Sequence, residues 1–211
     1  MAPILVLGTR NSKKCEELFE ILGDLSVELT DLSRWPEAPE VIEDGKTFEA
    51  NARKKASELA IALGQWTLGE DSGLVVPGLN GRPGVYSARY AGRHGDDAAN
   101  NARLLAELAP LPADRRAAYY VCVAALADPQ GQVQACVEGR CHGIIVSELR
   151  GHGGFGYDPL FLIPEYHHTL GELSARVKHA ISHRARALEQ LRPILRQLLL
   201  APPPTKDGAN P

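Results

Sequence analysis

Four short stretches of this chain carry residue types able to do chemistry: Thr9-Arg10-Asn11-Ser12-Lys13-Lys14, Glu70-Asp71-Ser72-Gly73, Gly154-Phe155-Gly156-Tyr157-Asp158 and Ser182-His183-Arg184. The first follows the apolar run Ile4-Leu5-Val6-Leu7-Gly8 and opens a helical pattern with two lysines in its first turns. Helix N-termini present unpaired N–H groups and partial positive charge, so they accept phosphate. Thr9 and Asn11 add polar side chains there. The G-x-x-x-x-G-K-[ST] spacing of a P-loop is absent, which argues against a P-loop kinase or GTPase.

Glu70 and Asp71 read as adjacent acids at a strand end, entering a Ser-Gly turn. Such a pair can hold Mg²⁺, which takes one or two carboxylates and completes its shell with water and substrate phosphates. A carboxylate beside the ion can also deprotonate an attacking water. Glu43, in an acidic loop, is a further candidate ligand. The competing reading is a turn with solvated acids. In the third stretch the glycines, Gly156 among them, allow close backbone approach to a flat ligand. Phe155 or Tyr157 can stack on a base, and Asp158 can accept hydrogen bonds from a base edge. In the fourth, Ser182 caps a helix and sets His183 and Arg184 at its positive end, with Lys178 one turn before. All three can donate to carbonyl oxygens. His179 and His183 are also i,i+4, but no acid or cysteine follows to complete a metal site. Phosphate, metal, ring-stacking and polar-edge chemistry together are what a nucleoside triphosphate requires.

These groups need a scaffold. The 211 residues, 44% hydrophobic and 23% charged, suit one globular domain over 1–200 with two lobes, followed by a Pro-rich, disordered tail at 201–211. A net charge of −3 gives no global field for a nucleic-acid polymer. No apolar run reaches the ~20 residues of a membrane helix, and no signal peptide is legible. Cys15, Cys122, Cys136 and Cys141 lack zinc or redox spacing, so they read as free thiols of a cytoplasmic protein.

The pattern predicts a strand at 4–7 and a helix with Cys15, Leu18, Phe19 and Leu22 inward, stopped by Gly23. A strand at 26–32 and a loop at 33–44 follow. Thr47 caps a helix whose stripe is Phe48, Ala52, Ala56, Leu59 and Leu63, closed by Gly64, with Asn51 and Lys55 at the stripe's edge. Strands at 66–68 and 74–76 flank the acidic pair. Residues 78–95 read as loop or irregular hairpin, and a helix runs from Asp96 to Leu108. Asp128-Pro129-Gln130-Gly131 turns an antiparallel hairpin of 117–127 and 132–147. Helix runs from Ser174 to about Leu200, with Leu188, Leu191, Leu195 and Leu198 as a face and Pro193 as a kink.

Taken in order, the stretches resemble the inosine triphosphate pyrophosphatase family, the XTP/dITP diphosphatases. The matching residues are Thr9-x-Asn11-x-x-Lys14-x-x-Glu17, Glu43-x-Gly45-x-Thr47-Phe48-x-x-Asn51-Ala52-x-x-Lys55-Ala56 and Glu70-Asp71-Ser72-Gly73-Leu74. They continue through Gly81-x-Pro83-Gly84-x-Tyr86-Ser87-Ala88-Arg89-Tyr90, Gly154 to Pro159, and Lys178-x-x-Ile181-Ser182-His183-Arg184. The resemblance spans roughly residues 4 to 200. It implies an α/β fold: an elongated mixed central sheet with flanking helices, forming two lobes around a nucleotide-binding cleft. It implies a homodimer and Mg²⁺-dependent cleavage between the α- and β-phosphates of ITP, dITP or XTP.

By position, Thr9, Asn11, Lys14 and Lys55 would cradle phosphates. Glu43, Glu70 and Asp71 would surround the metal, with Asp71 as base. Ser72 would touch the nucleotide. Arg89, Phe155, Asp158, Lys178, His183 and Arg184 would line the base pocket, with Phe155 stacking. Donors from Lys178, His183 or Arg184 would favour a 6-keto purine over adenine, whose amino group they would face unpaired. Many relatives carry glycine where this chain has Arg10, and Asp where it has Glu70. A positive φ would be disfavoured for Arg10. Other readings are a pyrophosphatase for modified pyrimidine or methylated nucleotides, and a silent nucleotide sensor on the same scaffold.

Overall fold

The computed structural model describes residues 3–200; the tail read at 201–211 lies outside the described residues. Among the described residues, seven strands form one mixed sheet: β1 (Ile4–Leu7), β2 (Glu28–Asp31), β3 (Trp66–Val75), β4 (Ala117–Ala127), β5 (Val133–Ile145), β6 (Phe161–Ile163) and β7 (His168–Thr169). Their order is β2-β1-β3-β4-β5-β6-β7. β1 pairs in parallel with β2 and β3, and every later pair is antiparallel. The helices are α1 (Ser12–Leu22), α2 (Phe48–Leu63), α3 (Asp97–Leu108), α4 (Ala175–Ile181) and α5 (His183–Leu195). The expected α/β architecture with flanking helices is present.

Strand parity organises the centre of the molecule. Along β4, Val121, Val123, Ala125 and Ala127 pack with Ala52, Ala56 and Ala60 of α2. Ala124 and Leu126 pack on the other face with Leu18 and Leu22 of α1 and Leu188, Leu191 and Leu195 of α5. Small residues let α2 press on β3: a Cβ on Gly69 would run into the backbone of Ala52 and Ala56. A third cluster, built around Leu74, Leu104, Leu108, Tyr120, Tyr157 and Phe161, joins α3 to the β6–β7 end.

Thr47 and Ser182 cap their helices as read, and Asn11, Asp96 and Ser174 do the same for theirs, each accepting a backbone N–H of the helix it opens. Gly64 ends α2 at φ 61°, the left-handed region that favours glycine. Gly23 also follows its helix, but with φ −64° it continues right-handed. The β4–β5 hairpin closes at Asp128, whose Oδ1 accepts the N–H groups of Gln130 and Gln132.

Three expectations are corrected, and the irregular segment expected at 78–95 is filled in. The segments 66–68 and 74–76 are one ten-residue strand, and the acidic pair lies inside it rather than at a strand end. Glu-Asp-Ser-Gly is turn chemistry taken alone, but an unbroken ladder to β4 from Thr67 to Val75 holds it extended. The strand expected at 26–32 shortens to Glu28–Asp31, and Leu32–Arg34 form a 3₁₀ turn capped by Asp31. Residues 78–95 contain a 3₁₀ segment, Gly84–Arg89, after a 3₁₀ turn at Pro77–Leu79, with a single bridge from Val75 to Pro83. After α5 a wider π turn, Arg196–Leu200, shifts the helical face, so Leu199 is buried and Leu198 is exposed. All four cysteines are free. Among the described residues, no helix is long and apolar enough to cross a membrane.

Candidate active site

A cleft of about 410 Å³ opens where the β1–α1 turn, α2, β3, the 84–95 segment, the Phe155 loop and the α4–α5 junction meet. Thr9, Asn11, Lys14, Glu43, Lys55, Asp71, Ser72, Arg89, Phe155, Gly156, Tyr157, Asp158, Lys178, His183 and Arg184 all line it. Glu70 is the one sequence-selected site residue that does not. Parity explains the split. Asp71 points to the α2 side, where Asn51 Nδ2 donates to its Oδ2 at 2.9 Å. Glu70 points to the opposite face, toward α1 and α5.

Behind the cleft, Glu70 is wholly buried. Its Oε2 lies 3.1 Å from Lys14 Nζ and its Oε1 3.0 Å from Arg184 Nη2. The Cys122 thiol also donates to Oε1, at 3.3 Å. Burial alone would raise the Glu70 pKa, but Arg184 and Lys14 outweigh it and hold the carboxyl well below its ordinary value. Arg184 donates further to Glu17 and, at 3.2 Å, to Ser72 Oγ. Glu17 takes Lys178 Nζ at 2.6 Å, and Lys178 also meets Asp158 Oδ2 at 2.6 Å. Burial opposes the Lys178 charge, yet Asp158 and Glu17 together raise its pKa. Lys178 and Arg184 are therefore held by carboxylates in a buried network, each charge paired as burial demands.

Asp71 sits in the opposite regime. Burial raises its pKa, Lys14, Lys55 and Asn51 resist, and the charge of Glu43 raises it further. Lys55 pairs with Glu43, its Nζ 2.7 Å from Oε1, and donates to the main-chain carbonyl of Glu70 at 3.0 Å. No group of three or more His, Cys, Asp or Glu gathers as a metal cage among the described residues. The donor set still fits a hard divalent cation. Asp71 and Glu43 are oxygen donors on one cleft wall whose mutual repulsion a cation would relieve, and Mg²⁺ needs only one or two carboxylates. Arg10 does not take a positive φ; its guanidinium donates to the Ala38 carbonyl at 2.6 Å across the β1–α1 turn.

Phe155 has Lys178 Nζ 4.6 Å and Lys13 Nζ 5.8 Å from its ring centroid. Tyr157 is buried, and its hydroxyl donates to the Ser87 carbonyl at 2.8 Å, so Phe155 is the half-buried, accessible aromatic of the pair. Asp158 accepts the Phe155 N–H at 2.9 Å as well as Lys178. The His183 ring stacks on Tyr120 at 4.7 Å and 12°. Burial, reinforced by Arg184, lowers its pKa well below the usual histidine value, so the ring is neutral.

Sequence reasoning assigned no role to Glu17, Tyr120, Cys122 or Asp97. Glu17 had a signal, since it lies i+3 from Lys14 and so on the same helix face. Tyr120 and Cys122 sit in an apolar strand run with no distinguishing pattern.

The Ham1 family model matches residues 5–194. A Rhodopirellula baltica protein named dITP/XTP pyrophosphatase is 55% identical over 195 residues, covering 92% of this chain and 94% of that protein. A Geobacter sulfurreducens protein of the same name is 50% identical over 188 residues, covering 89% and 94%. Among solved structures, a HAM1 protein from Coxiella burnetii superposes with a TM-score of 0.84 at 38% identity, covering 92% of this chain and 99% of that one. A Mycobacterium abscessus structure described as nucleoside-triphosphatase and dITP/XTP pyrophosphatase gives 0.74 at 46% identity, covering 90% and 99%.

Proposed function

This chain belongs to the Ham1 family, and from that premise we propose that it hydrolyses deaminated purine nucleoside triphosphates (ITP, dITP and XTP) to the monophosphate and pyrophosphate. One observation carries the reading: a single cleft is lined by Thr9, Asn11, Lys14 and Lys55, by the carboxylate of Asp71 and by the aromatic ring of Phe155.

The phosphates lie against the N-terminus of α1, within reach of Thr9, Asn11, Lys14 and Lys55. Asp71 and Glu43 would hold Mg²⁺, and Glu70, behind the cleft, is the counter-charge of Lys14 and Arg184. When bound, the ion supplies positive charge to the phosphate oxygens at which negative charge develops. Asp71 takes the proton of a water that attacks the α-phosphorus, and pyrophosphate leaves. Asp71 qualifies as the base by its place in the cleft, with Asn51 Nδ2 holding its Oδ2 at 2.9 Å. Phe155 stacks on the purine, flanked by Lys178, Asp158 and His183, while Arg89 lines the same cleft with its guanidinium donating to the Glu43 carbonyl at 3.3 Å. Lys178 and neutral His183 present donors toward a 6-keto group, while Arg184, bound to Glu17, Glu70 and Ser72, anchors that edge. Adenine would set its amino group against donors, at about 1–3 kcal/mol for each group left unpaired. We assign the chain to the cytoplasm as a homodimer that cleanses the nucleotide pool.

The test is pyrophosphate release from ITP, dITP, XTP, ATP and GTP, with and without Mg²⁺. Fast release from the deaminated purines only with Mg²⁺, and little from ATP or GTP, is expected. Release from none of them, or equal turnover of ATP, removes the assignment.

A further inference from the structure

The N-terminal turn of α3 presents three polar side chains at i, i+3 and i+4, hence on one helix face: Asp97, Asn100 and Asn101. Asn100 and Asn101 are 2% and 5% exposed. Asparagine and aspartate weaken a helix interior because they compete for backbone hydrogen bonds. Here their side chains are committed elsewhere, to the backbone of the loops that wall the cleft.

Asp97 Oδ2 accepts the Gly156 N–H at 2.9 Å, and Asn101 Nδ2 donates to the Gly156 carbonyl at 2.9 Å. The peptide groups on both sides of Gly156 are thereby fixed. Gly154 and Gly156 lie at φ 72° and 64°, so the loop bearing Phe155 turns through two left-handed glycines, the residues with most freedom to depart from that shape. One position earlier on the helix, Asn100 Oδ1 accepts the Ala91 N–H at 2.7 Å and its Nδ2 donates to the Ala88 carbonyl at 3.3 Å, bracketing Arg89. Packing of α3 against the core is performed separately by Leu104 and Leu108.

We propose that Asp97 and Asn101 are positioning residues for the stacking surface: they pin Gly156, and so present Phe155 to the base. The inference rests on the reading that the base lies on Phe155. It predicts that α3 governs affinity for the nucleoside part of a ligand and leaves affinity for the phosphate part alone.

The experiment compares Kd for IMP and for pyrophosphate by calorimetry in the full chain and in Asp97→Ala, Asn101→Ala and Asp97→Asn. The alanine variants should weaken IMP about tenfold, the effect of losing one hydrogen bond to a loop that then samples other shapes, and shift pyrophosphate less than about twofold. Asp97→Asn keeps an acceptor oxygen and should restore most of the IMP affinity. Amide exchange at Gly156 and Tyr157 in ligand-free Asp97→Ala should be faster than in the parent, a readout that needs neither ligand nor turnover.

Because the residues act through Phe155, Asn101→Ala combined with Phe155→Ala should bind IMP no more weakly than Phe155→Ala alone. Additive losses, equal weakening of IMP and pyrophosphate, or unchanged exchange at Gly156 would each overturn the proposal. A parent protein that binds IMP but hydrolyses none of the panel would sink the assigned reaction and leave this inference standing.

Discussion

The two faces of β3 treat a carboxylate in opposite ways. On the α1–α5 face, Glu70 is 1% exposed and sits among Lys14, Arg184 and the Cys122 thiol, in a network that extends through Glu17 to Lys178 and Asp158. On the α2 face, Asp71 is 6% exposed, lines the cleft, and is pushed toward protonation by burial and by Glu43. Adjacent acids of nearly equal intrinsic strength thus have opposite pKa directions. Side chains alternate across a strand, so the environment on each side decides. One face compensates its charge, and the other leaves its charge under-compensated.

The sharpest way to break this comparison is to neutralise each acid in turn. Asp71→Asn should lower kcat by about 10²- to 10⁴-fold, the usual contribution of a positioned base, and leave the fold intact. Its carboxyl has a raised pKa, so ionised Asp71 is unfavourable to the folded state at neutral pH. The amide variant should therefore unfold at the same or a higher temperature. Wild-type kcat in Asp71→Asn would remove the base assignment. Glu70→Gln should do the reverse to stability, losing about 3–5 kcal/mol because Arg184 and Lys14 are left facing a neutral group. A denaturant midpoint unchanged from the parent would show that Glu70 is not the keystone of its face.

The stacking end responds less. Phe155→Ala should raise KM for dITP about tenfold, from the roughly 1–3 kcal/mol that a base–aromatic stack contributes, with kcat little altered. An unchanged KM would argue against stacking. The smallest effect is in the pH dependence of stability. The folded-state pKa values of Glu70 and Glu17 are depressed, so their stabilisation is complete above the ordinary glutamate value and is lost as pH falls below it toward the folded-state values. Asp71 has the opposite sign, its contribution weakening as pH rises. Chemical denaturation across that acid range should show the parent losing stability more steeply than Glu70→Gln; parallel curves would contradict the pairing.

Much of the local framework was legible. Thr47 and Ser182 cap their helices as read, through contacts within three residues, and Asp96 opens α3 where a helix start was expected. The β4–β5 turn closes through Asp128 in the same local way. The residues read from the motifs as phosphate and base contacts line one cleft, together with Glu43 and Asp71. Short-range signals do not reach further. Strands β6 and β7, of three and two residues, carry no periodicity. The turn expected at Glu70-Asp71-Ser72-Gly73 gave way to a ladder with β4, about fifty residues away in sequence.

By itself, then, the sequence determined the element order, the caps and turns, and which residues have the chemistry of a nucleotide site, because those follow from contacts between near neighbours and from motif order. Only the tertiary structure decided that Glu70 faces buried cations while Asp71 faces the cleft. It also decided that Arg184 and Lys178 are held by Glu17, and that α3 brackets the Phe155 loop. Each of these depends on strand parity set by a distant partner strand, and on burial, which turns a common charge into one that must be paired or shifted in pKa.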